Sequence, residues 1–393
     1  MKATRIAGWI SAALFLVVTT AHGADGEGDK RPAPDAREQQ IRQQAEKATR
    51  AFFERVDKNK DRKIAREEVP RAGRAFFDRI DTDGDGAITL AEDTAWRIAR
   101  AKGPRQRPSR PPSPTPDHAD ISYGPHERNV LDVWLARSDK PTPLVIFYHG
   151  GGFRAGDKRT LNVSLLKKLL EGGVSVAAVN YRLTNVAPFP AQMHDCARAM
   201  QFLRHHAKKY NIDPKRVGAT GGSAGAIISM WLAFHENLAD SDAKDPVARQ
   251  STRLSVAVVY AAQSTIDPRT IQKMYNTNQV DGALIPFYGM KEASDIDDPK
   301  FHPLFVEASP INHATKDDPP VLAYYPQANQ PLPPNSSGKQ HIHHPKFGLL
   351  LKKTLDALGI ECVLRLREDC PGGPPIDEYV KFFFDKLDVT KTK

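Results

Sequence analysis

The sequence predicts an α/β fold, in which helices cover both faces of a mostly parallel sheet, preceded by a small all-α domain. Two observations predict the sheet: short apolar runs occur from about Asp120 onwards, and stretches with helical periodicity alternate with them. A third observation predicts the division into domains. Residues 102–117 hold six prolines between the two patterns, and such a segment forms neither a helix nor a central strand.

The predicted elements follow one another in the order that builds a parallel sheet. Strands are expected at Leu144–Tyr148, Val174–Asn180, Val217–Ala219, Leu254–Ala261, Val321–Tyr325 and Cys362–Leu366. Helices between them include Ala191–Tyr210, Ala226–His235 and Phe347–Leu358. Residues 268–308 do not follow this alternation, so we expect an inserted or lid-like segment over the carboxyl ends of the strands.

Composition and charge restrict the class of protein. Hydrophobic residues make up 40% of the chain and charged residues 26%, which is ordinary for a soluble globular protein. The net charge of +9 is spread along the chain rather than gathered in an aromatic-laced patch, so we expect no nucleic-acid partner.

The amino terminus has the layout of a secretory signal peptide. Lys2 and Arg5 precede an apolar run over 7–18, and the small residues Ala21 and Gly23 suit cleavage near Gly23. An uncleaved anchor is the alternative, but the run is short for a membrane span. We therefore expect a secreted or periplasmic protein without a stable membrane anchor.

The cysteines give no sign of a disulfide framework. An exported chain with three of them cannot pair them all internally. Cys362 and Cys370 bracket a predicted strand, which separates them by more than the roughly 7 Å between Cα atoms that a disulfide allows. We expect no structural disulfide, and the cysteines show no metal-ligand spacing.

The twelve residues from Asp81 to Glu92 have the pattern of an EF-hand calcium loop. Carboxylates stand at positions 1, 3, 5 and 12, and a glycine at position 6 allows the sharp turn. The expected Ca²⁺ ligands are Asp81, Asp83, Asp85, the carbonyl of Ala87, and both carboxylate oxygens of Glu92. An acidic helix–loop–helix that holds no ion is the alternative.

A related loop over 57–68 departs from this pattern. Its ligand positions hold Asp57, Asn59, Asp61, the carbonyl of Lys63, and Glu68. Arg62 replaces the glycine at position 6, at a cost of about 1 kcal/mol or more, and neighbouring basic side chains repel a cation. Ca²⁺ binding by this loop is therefore left open. Ile64 and Ile88 are expected to join the loops in a short β pair, and the spacing resembles that of paired EF-hands.

These patterns divide the 393 residues into five expected parts. They are a signal peptide over 1–23, a flexible segment over 24–46, an EF-hand pair over 47–101, a proline-rich linker over 102–118, and the α/β domain over 119–388.

A serine and a glycine-rich turn carry the chemical signal of the α/β domain. Ser223 stands in Gly-Gly-Ser-Ala-Gly after an apolar strand, a pattern that permits a tight turn with an exposed hydroxyl, so it is the expected nucleophile. Residues 149–152 read His-Gly-Gly-Gly after another strand. The expected oxyanion hole consists of the backbone N–H groups of Gly151, Gly152 and Ala224. A phosphate-binding or merely tight turn is the alternative for the glycines.

These motifs resemble the hormone-sensitive-lipase-like branch of the α/β-hydrolase family, carboxylesterases with feruloyl-esterase-like relatives. Further matching stretches are Asn180–Leu183, Phe189–Ala191, Asp195 and Asn211–Gly218. The resemblance covers about residues 120–388 and implies ester hydrolysis through an acyl-enzyme on Ser223, with no cofactor for catalysis. By analogy we expect a small ester or an ester-decorated carbohydrate, such as an acetyl or feruloyl ester, as substrate.

Two positions depart from the family's pattern. The family places an Asp after the strand that corresponds to Val321–Tyr325, where Asn329 is the best match. It places the base His after the last strand, where residues 367–375 contain no histidine. Acidic alternatives are expected near the carboxyl edge of the sheet, although no spacing singles one out. They are Asp267, Asp317 and Asp318.

Three histidines, His341, His343 and His344, precede the helix Phe347–Leu358 and are expected on the same side of the sheet as Ser223. They either cap that helix, hold a metal, or supply a relocated base, for which His343 and His344 are the candidates. His194 and His235 are expected to be packing or surface residues. The sequence thus predicts a serine hydrolase with an incomplete or relocated triad. The alternative is a non-catalytic binding module on the same scaffold, which a histidine in reach of Ser223 would disfavour.

Overall fold

The computed structural model describes residues 34–69, 77, 79–102 and 113–389. The chain divides into two compact units, 1–110 and 111–393. The predicted signal peptide and most of the predicted linker lie outside the described residues. Within the described ranges, no helix combines the length and the apolar character that crossing a membrane would require.

The first unit is built around helix α1 (Pro34–Val56) and helix α2 (Leu90–Lys102). Between them, β1 (Lys63–Ala65) and β2 (Ala87–Thr89) pair antiparallel, with Ile64 opposite Ile88. This is the β pair that the sequence predicted. Both isoleucines are buried in one cluster with residues of α1, so the two loops share a core.

Helix α1 begins at Pro34, so the segment predicted to be flexible over 24–46 is helical in its second part. Residues 35–46 are rich in Ala, Arg, Gln and Glu, which have high helix propensity. Ala45 is buried, which places one face of this stretch against the unit's core. The prediction failed because an exposed helix and an exposed coil have the same polar composition.

The second unit contains an eight-stranded sheet among the described residues. Its strands are β3 (His118–Ser122), β4 (Val130–Trp134), β5 (Thr142–Tyr148), β6 (Ser175–Val179), β7 (Ile212–Gly222), β8 (Val256–Tyr260), β9 (Val321–Tyr325) and β10 (Cys362–Leu366). The spatial order is β10-β9-β8-β7-β5-β6-β4-β3. Only β4 runs against the others in this sheet, which confirms the predicted mostly parallel sheet.

Helices cover both faces of this sheet. They are α3 (Val163–Glu171), α4 (Ala191–His205), α5 (Ala224–Phe234), α6 (Pro268–Tyr275), α7 (Leu284–Tyr288), α8 (His302–Ala308), α9 (Gly338–His341), α10 (Lys346–Ala357) and α11 (Ile376–Lys386). One buried cluster packs α3 and α11 on the sheet, through Leu166 and Phe383. The other packs α4, α5 and α10, through Met200, Trp231 and Leu351.

Short 3₁₀ turns complete the second unit. They span Lys158–Thr160, Ala293–Asp297, Pro299–Phe301, Pro310–His313 and Arg367–Asp369. The segment 268–308 holds α6, α7 and α8 between β8 and β9. The three cysteines are free thiols.

The sequence did not predict β3 and β4 at the edge of the sheet. The apolar pattern of β4 is interrupted by Asp132, which is buried and accepts a hydrogen bond from the Lys158 Nζ at 2.7 Å. Pairing with a buried lysine makes the carboxylate compatible with a strand. That partner is distant in sequence, so the pattern within β4 does not reveal it.

Candidate functional site

Ser223 lies at the tip of a sharp turn between β7 and α5. Its φ and ψ angles are 53° and −121°, a conformation that costs a residue with a side chain on the order of 1–3 kcal/mol. The Ser223 N–H donates to the Tyr260 carbonyl at 2.9 Å. A Cβ on Gly225 would lie 1.9 Å from the Tyr148 carbonyl oxygen, so only glycine fits two residues after the serine.

The glycine turn after β5 packs directly against the serine turn. A Cβ on Gly150 would lie 2.6 Å from the Gly222 carbonyl oxygen, and Gly151 has a φ of 120°, which favours glycine. Among the described residues, no protein acceptor takes a hydrogen bond from the backbone N–H groups of Gly151, Gly152 or Ala224. These are the groups that the sequence assigns to an oxyanion hole.

His149 belongs to the framework of the glycine turn. Its buried ring stacks on Tyr181 with the ring centroids 4.2 Å apart, and its Nδ1 lies 2.8 Å from the Gly150 carbonyl oxygen. The Tyr181 hydroxyl donates to the His149 carbonyl at 2.7 Å. Burial lowers the pKa of His149 to about 4, so the ring is neutral near pH 7 and holds the turn in place.

His343 lies next to the serine. Its Nε2 is 3.0 Å from the Ser223 Oγ, within the distance that proton transfer requires. His343 follows β9, which runs parallel to β7, and the carboxyl ends of both strands therefore meet at one edge of the sheet. The Gln263 side chain donates to the carbonyl of Ile342, the residue before His343, which fixes the backbone at this point.

The neighbouring histidines point elsewhere. The His344 Nε2 lies 2.9 Å from the Gln330 carbonyl oxygen, and its Nδ1 accepts a hydrogen bond from the Lys346 N–H at 3.1 Å. His344 therefore caps the start of α10, which corrects its prediction as a substitute base. Successive side chains in a turn leave the backbone in different directions, so one histidine faces Ser223 and the next does not. His341 is buried and stacks on Tyr275.

Two of the predicted acidic residues lie at the wrong edge of the sheet. Asp317 and Asp318 precede β9, so they lie at its amino end, whereas Ser223 follows the carboxyl end of β7. Arg253, which precedes β8, contacts the Asp318 carboxylate at 3.0 Å. Residues before and after a parallel strand occupy opposite edges, and this rule corrects the prediction for both aspartates.

Asp267 and Asn329, the other two candidates for the acid of the triad, are hydrogen-bonded to neither Ser223 nor His343. Asp267 caps the start of α6 and pairs with Arg269 at 2.7 Å. The Asn329 N–H donates to the Glu368 carboxylate at 3.1 Å. The position that usually holds the acid therefore contributes no carboxylate to His343.

Asp281 is a carboxylate at the site that sequence patterns did not reveal. It lies between α6 and α7 and lines the same cavity as Ser223 and His341. One of its oxygens accepts the Ala283 N–H at 3.0 Å. Burial lowers the pKa of His343, and the negative charge of Asp281 opposes that shift. A single aspartate in an irregular segment carries no spacing signal, so no motif could have identified it.

A small apolar cavity of about 30 Å³ adjoins the Ser223 hydroxyl. The apolar side chains around it include those of Phe153, Ile227, Ile266, Ile271, Leu284 and Phe347. The site thus combines a hydroxyl, an adjacent imidazole, free backbone N–H donors and an apolar wall. This combination is what acyl transfer requires.

In the first unit, three carboxylates of the loop over 81–92 converge. One oxygen from each of Asp81, Asp83 and Asp85 lies within 4.8 Å of the others. Gly86, at position 6, has a φ of 85°, as the sharp turn requires. Carboxylate oxygens together with the Ala87 carbonyl form the oxygen-only donor set that Ca²⁺ prefers, so the residues fit this ion.

Glu92, the last predicted ligand of this loop, reaches back across it. Its two oxygens accept the Thr82 N–H at 2.7 Å and the Thr89 N–H at 2.9 Å. Burial by itself would raise the pKa of Glu92, but hydrogen bonds from Thr89 and Thr82 lower it to about 2. The carboxylate is therefore ionised at neutral pH, as a Ca²⁺ ligand must be.

The loop over 57–68 has the same backbone course with different chemistry. Arg62 adopts a φ of 66° at position 6, in the left-handed region where the other loop has glycine. The Lys63 Nζ pairs with the Asp85 carboxylate at 3.0 Å. A basic side chain of the loop over 57–68 thus contacts a predicted Ca²⁺ ligand of the loop over 81–92. The Arg62 N–H donates to the Asp57 carboxylate at 2.9 Å.

The remaining predicted ligands of the loop over 57–68 form hydrogen bonds within that loop. The Asn59 amide donates to the Asp61 carboxylate at 2.9 Å. Glu68 accepts the Lys58 N–H and the Ala65 N–H, both at 3.0 Å. The acidic residues of the loop over 57–68 are thus hydrogen-bonded within that loop, next to its basic side chains.

A comparison with protein families matches residues 131–342, more than half of the chain, to the family BD-FAE. Among curated proteins, esterase LipQ of Mycobacterium tuberculosis is 27% identical over 221 residues. That match covers 55% of this chain and 49% of the relative. The chain therefore spans about half the length of such relatives.

Solved structures share the fold of the second unit. A truncated carbohydrate esterase from gut microbiota is 20% identical, with a TM-score of 0.54, over 69% of this chain and 95% of that one. An acetyl ester-xyloside bifunctional hydrolase from Caldicellulosiruptor lactoaceticus is 21% identical, with a TM-score of 0.51, over 66% of this chain and 89% of that one.

Proposed function

The chain belongs to the BD-FAE family of α/β-hydrolase esterases, and on that premise we propose that it hydrolyses carboxylic esters through an acyl-enzyme on Ser223. One observation carries the proposal: the His343 Nε2 lies 3.0 Å from the Ser223 Oγ. A serine hydroxyl needs a base at this distance to become a nucleophile. The same contact favours a hydrolase over a non-catalytic binding module.

In the proposed first step, the Ser223 Oγ attacks the carbonyl carbon of the ester while His343 takes the hydroxyl proton. The negative oxygen of the tetrahedral intermediate accepts hydrogen bonds from the N–H groups of Gly151, Gly152 and Ala224. Such donors each contribute about 3–4 kcal/mol to the lowering of the barrier. His343 then gives its proton to the leaving alcohol oxygen as the ester C–O bond breaks, which leaves the acyl group on Ser223.

In the second step, water attacks the acyl-enzyme. His343 removes a proton from the water, the oxyanion forms at the same N–H groups, and collapse of the intermediate returns the proton to the Ser223 Oγ. The acid is released and the serine is regenerated. The route balances without a cofactor, because each proton that His343 takes is given back within the same cycle.

We propose an ester of a short acyl group, such as an acetyl ester on a carbohydrate, as the substrate. Support comes from the small apolar cavity beside Ser223, which Phe153 and Ile227 line. Two similar solved structures are described as a carbohydrate esterase and an acetyl ester-xyloside hydrolase. A feruloyl group is the larger alternative, and it would need a wider cavity.

For the first unit we propose an EF-hand pair that binds Ca²⁺ in the loop over 81–92. The convergence of Asp81, Asp83 and Asp85 supports this proposal, together with the ionised Glu92. Ca²⁺ would draw these carboxylates together and so stabilise the unit, which is how such ions act in folding. Binding by the loop over 57–68 is weaker because Lys63 already neutralises part of the shared acidic surface.

We also propose that the chain is exported, as a secreted or periplasmic protein. This proposal rests on the charged, apolar and small-residue regions over 1–23. Analysis of the amino terminus of the protein purified from its native host tests it: cleavage near Gly23 is the expected result.

The central experiment measures hydrolysis of short-chain nitrophenyl and acetyl-sugar esters by the full chain and by Ser223→Ala. We expect kcat/KM to fall by roughly 10³-fold or more, because the variant cannot form the acyl-enzyme. Ser241→Ala, which removes an exposed serine hydroxyl, is the matched control and should retain activity. Equal rates for Ser223→Ala and the parent chain would overturn the proposed function.

A further inference from the structure

A cluster of metal-ligating side chains lies at the far end of α5 from Ser223. His235, Glu307 and His313 each bring one ligand atom within 4.8 Å of the others. Helix α5 separates His235 from Ser223 by eleven residues, or roughly 16 Å. This cluster is therefore distinct from the ester site, and the sequence predicted only a packing or surface role for His235.

The cluster is held by a buried tryptophan. The Trp231 ring lies against the His235 ring with centroids 4.0 Å apart, and the Trp231 Nε1 donates to the Glu307 carbonyl at 2.9 Å. Trp231 is almost completely buried. The end of α5 and the segment over 302–313 are thus fixed against each other, and the three side chains start from anchored backbone.

Each imidazole is oriented by a backbone carbonyl. The His235 Nδ1 lies 3.1 Å from the Glu236 carbonyl oxygen, and the His313 Nε2 lies 2.7 Å from the Glu307 carbonyl oxygen. A carbonyl oxygen only accepts, so these nitrogens are the donors in the tautomers that leave the other nitrogen of each ring able to bind a metal. The other nitrogen of each neutral ring keeps its lone pair, which is the arrangement found in histidines that bind metals.

The His235 ring also contacts a carboxylate. The His235 Nε2 lies 2.9 Å from a Glu307 carboxylate oxygen. With the ring proton on Nε2, this contact is an N–H···O hydrogen bond. With the proton on Nδ1, the two atoms present lone pairs to each other, at a distance that a bound cation would bridge.

We propose that His235, Glu307 and His313 form a zinc site. Zn²⁺ binds imidazole nitrogen and carboxylate oxygen at about 2.0–2.2 Å, which sets neighbouring ligands about 3.3 Å apart in a tetrahedron. The observed separations, 2.9 Å for one pair and within 4.8 Å for all three, need only small side-chain movements to reach this geometry. Water completes the fourth position.

The donor set distinguishes this site from the loops of the first unit. Two imidazoles and one carboxylate suit Zn²⁺ and related transition metals, whereas Ca²⁺ prefers six to eight oxygen ligands. An ion here would join the end of α5 to the segment over 302–313. Its role is therefore to stabilise the second unit, and Ser223 and His343 need no metal for their chemistry.

Calorimetric titration of Zn²⁺ into the full chain tests this proposal, with millimolar Ca²⁺ present to occupy the acidic loops. We expect one zinc ion per chain and a rise in melting temperature. His235→Gln, Glu307→Gln and His313→Ala should each weaken Kd by at least tenfold. His205→Ala removes an exposed histidine outside the cluster and should leave Kd unchanged.

Failure of the parent chain to bind Zn²⁺, or binding that survives all three substitutions, would overturn the proposal. The contact between His235 and Glu307 would then be an ordinary hydrogen bond from the ring N–H to the carboxylate. If a variant does not fold, Co²⁺ provides a measurement on the parent chain. Intense visible absorption from four- or five-coordinate Co²⁺ is expected, and the weak spectrum of six-coordinate Co²⁺ would contradict the site.

Discussion

The geometry of the candidate site depends on two residues, Ser223 and His343. The serine has a φ of 53°, and this strain is maintained by the backbone bond to Tyr260 and by the glycines that flank the turn. Within the described residues, the His343 Nδ1 has no hydrogen-bond partner, so the imidazole is positioned by its contact with the serine and by packing. No carboxylate among the described residues accepts a hydrogen bond from this imidazole.

Substitution of two adjacent histidines should have different effects. His343→Ala should reduce kcat by on the order of 10³-fold or more, because it removes the only imidazole among the described residues that lies within hydrogen-bond distance of the Ser223 Oγ. His344→Ala should lower thermal stability, since it removes a cap of α10, but it should change kcat far less. Steady-state kinetics and melting curves of both variants check this, and equal losses of kcat would contradict the assignment.

The second prediction concerns pH. His343 acts as a base only when neutral, so activity should rise as the pH passes its pKa, which burial places below the ordinary value of 6.5. The charge of Asp281 favours the protonated ring, and its removal in Asp281→Asn should lower that pKa further. The acid limb of the kcat/KM profile should then move to lower pH, with a reduced plateau because the imidazolium of the transition state loses stabilisation.

Asp297→Asn, which removes a carboxylate elsewhere in the segment 268–308, is the matched control for this profile. It should reproduce the parent curve. An acid limb that stays in place in Asp281→Asn, or moves to higher pH, would show that Asp281 does not act on His343.

Among the elements of the second unit, the proposed base His343 lies in a different connection from the one that the family resemblance implies, but at the same edge of the sheet. The family's usual position follows the last strand, which is β10 here, and residues 367–375 carry no histidine. His343 instead lies between β9 and α10. Both connections start at carboxyl ends of parallel neighbours, so either can deliver a side chain to the turn after β7. Parallel topology therefore allows a histidine in either connection to reach Ser223.

The two acidic loops form an element pair with unequal chemistry. Asp81→Ala should weaken Ca²⁺ binding by a hundredfold or more, because it removes one of three converging carboxylates. Asp57→Ala should have a small effect, since Arg62 and Lys63 already disfavour a cation in that loop. Calorimetric titration with Ca²⁺ distinguishes the two loops, and the opposite ranking of the variants would refute the assignment.

At the scale of the whole molecule, the two units divide the proposed roles. Every residue assigned to ester hydrolysis lies in the unit over 111–393, and every predicted Ca²⁺ ligand lies in the unit over 1–110. Chelation by EGTA should therefore lower the melting temperature of the first unit and leave kcat/KM at 25 °C within about twofold of its starting value. Loss of hydrolysis on chelation, restored by Ca²⁺, would show that the units are coupled.

Sequence patterns predicted those elements whose structure depends on residues close together in the chain. The strand Val321–Tyr325, the Gly-Gly-Ser-Ala-Gly turn and the Ile64–Ile88 pair were all predicted from residues close together in the chain. Periodicity and small-residue spacing act over a few residues, so they specify single elements and tight turns well. The strand β4 was missed because Lys158, which pairs with its buried Asp132, belongs to a distant segment. The first turns of α1 were missed because an exposed helix and an exposed coil have similar polar composition.

The amino-acid pattern was enough to predict the α/β architecture, the serine turn with its glycine-rich partner, and the acidic loop over 81–92. Three further features became visible in the folded chain: His343 rather than His344 meets Ser223, Asp281 lines the cavity, and Asp317 and Asp318 lie at the opposite edge of the sheet. Ser223 and His343 are 120 residues apart in the chain. Whether two such residues come into contact depends on the direction of each side chain and on the direction of the strands that carry them. The number of residues between two side chains does not predict how far apart they lie in the folded protein.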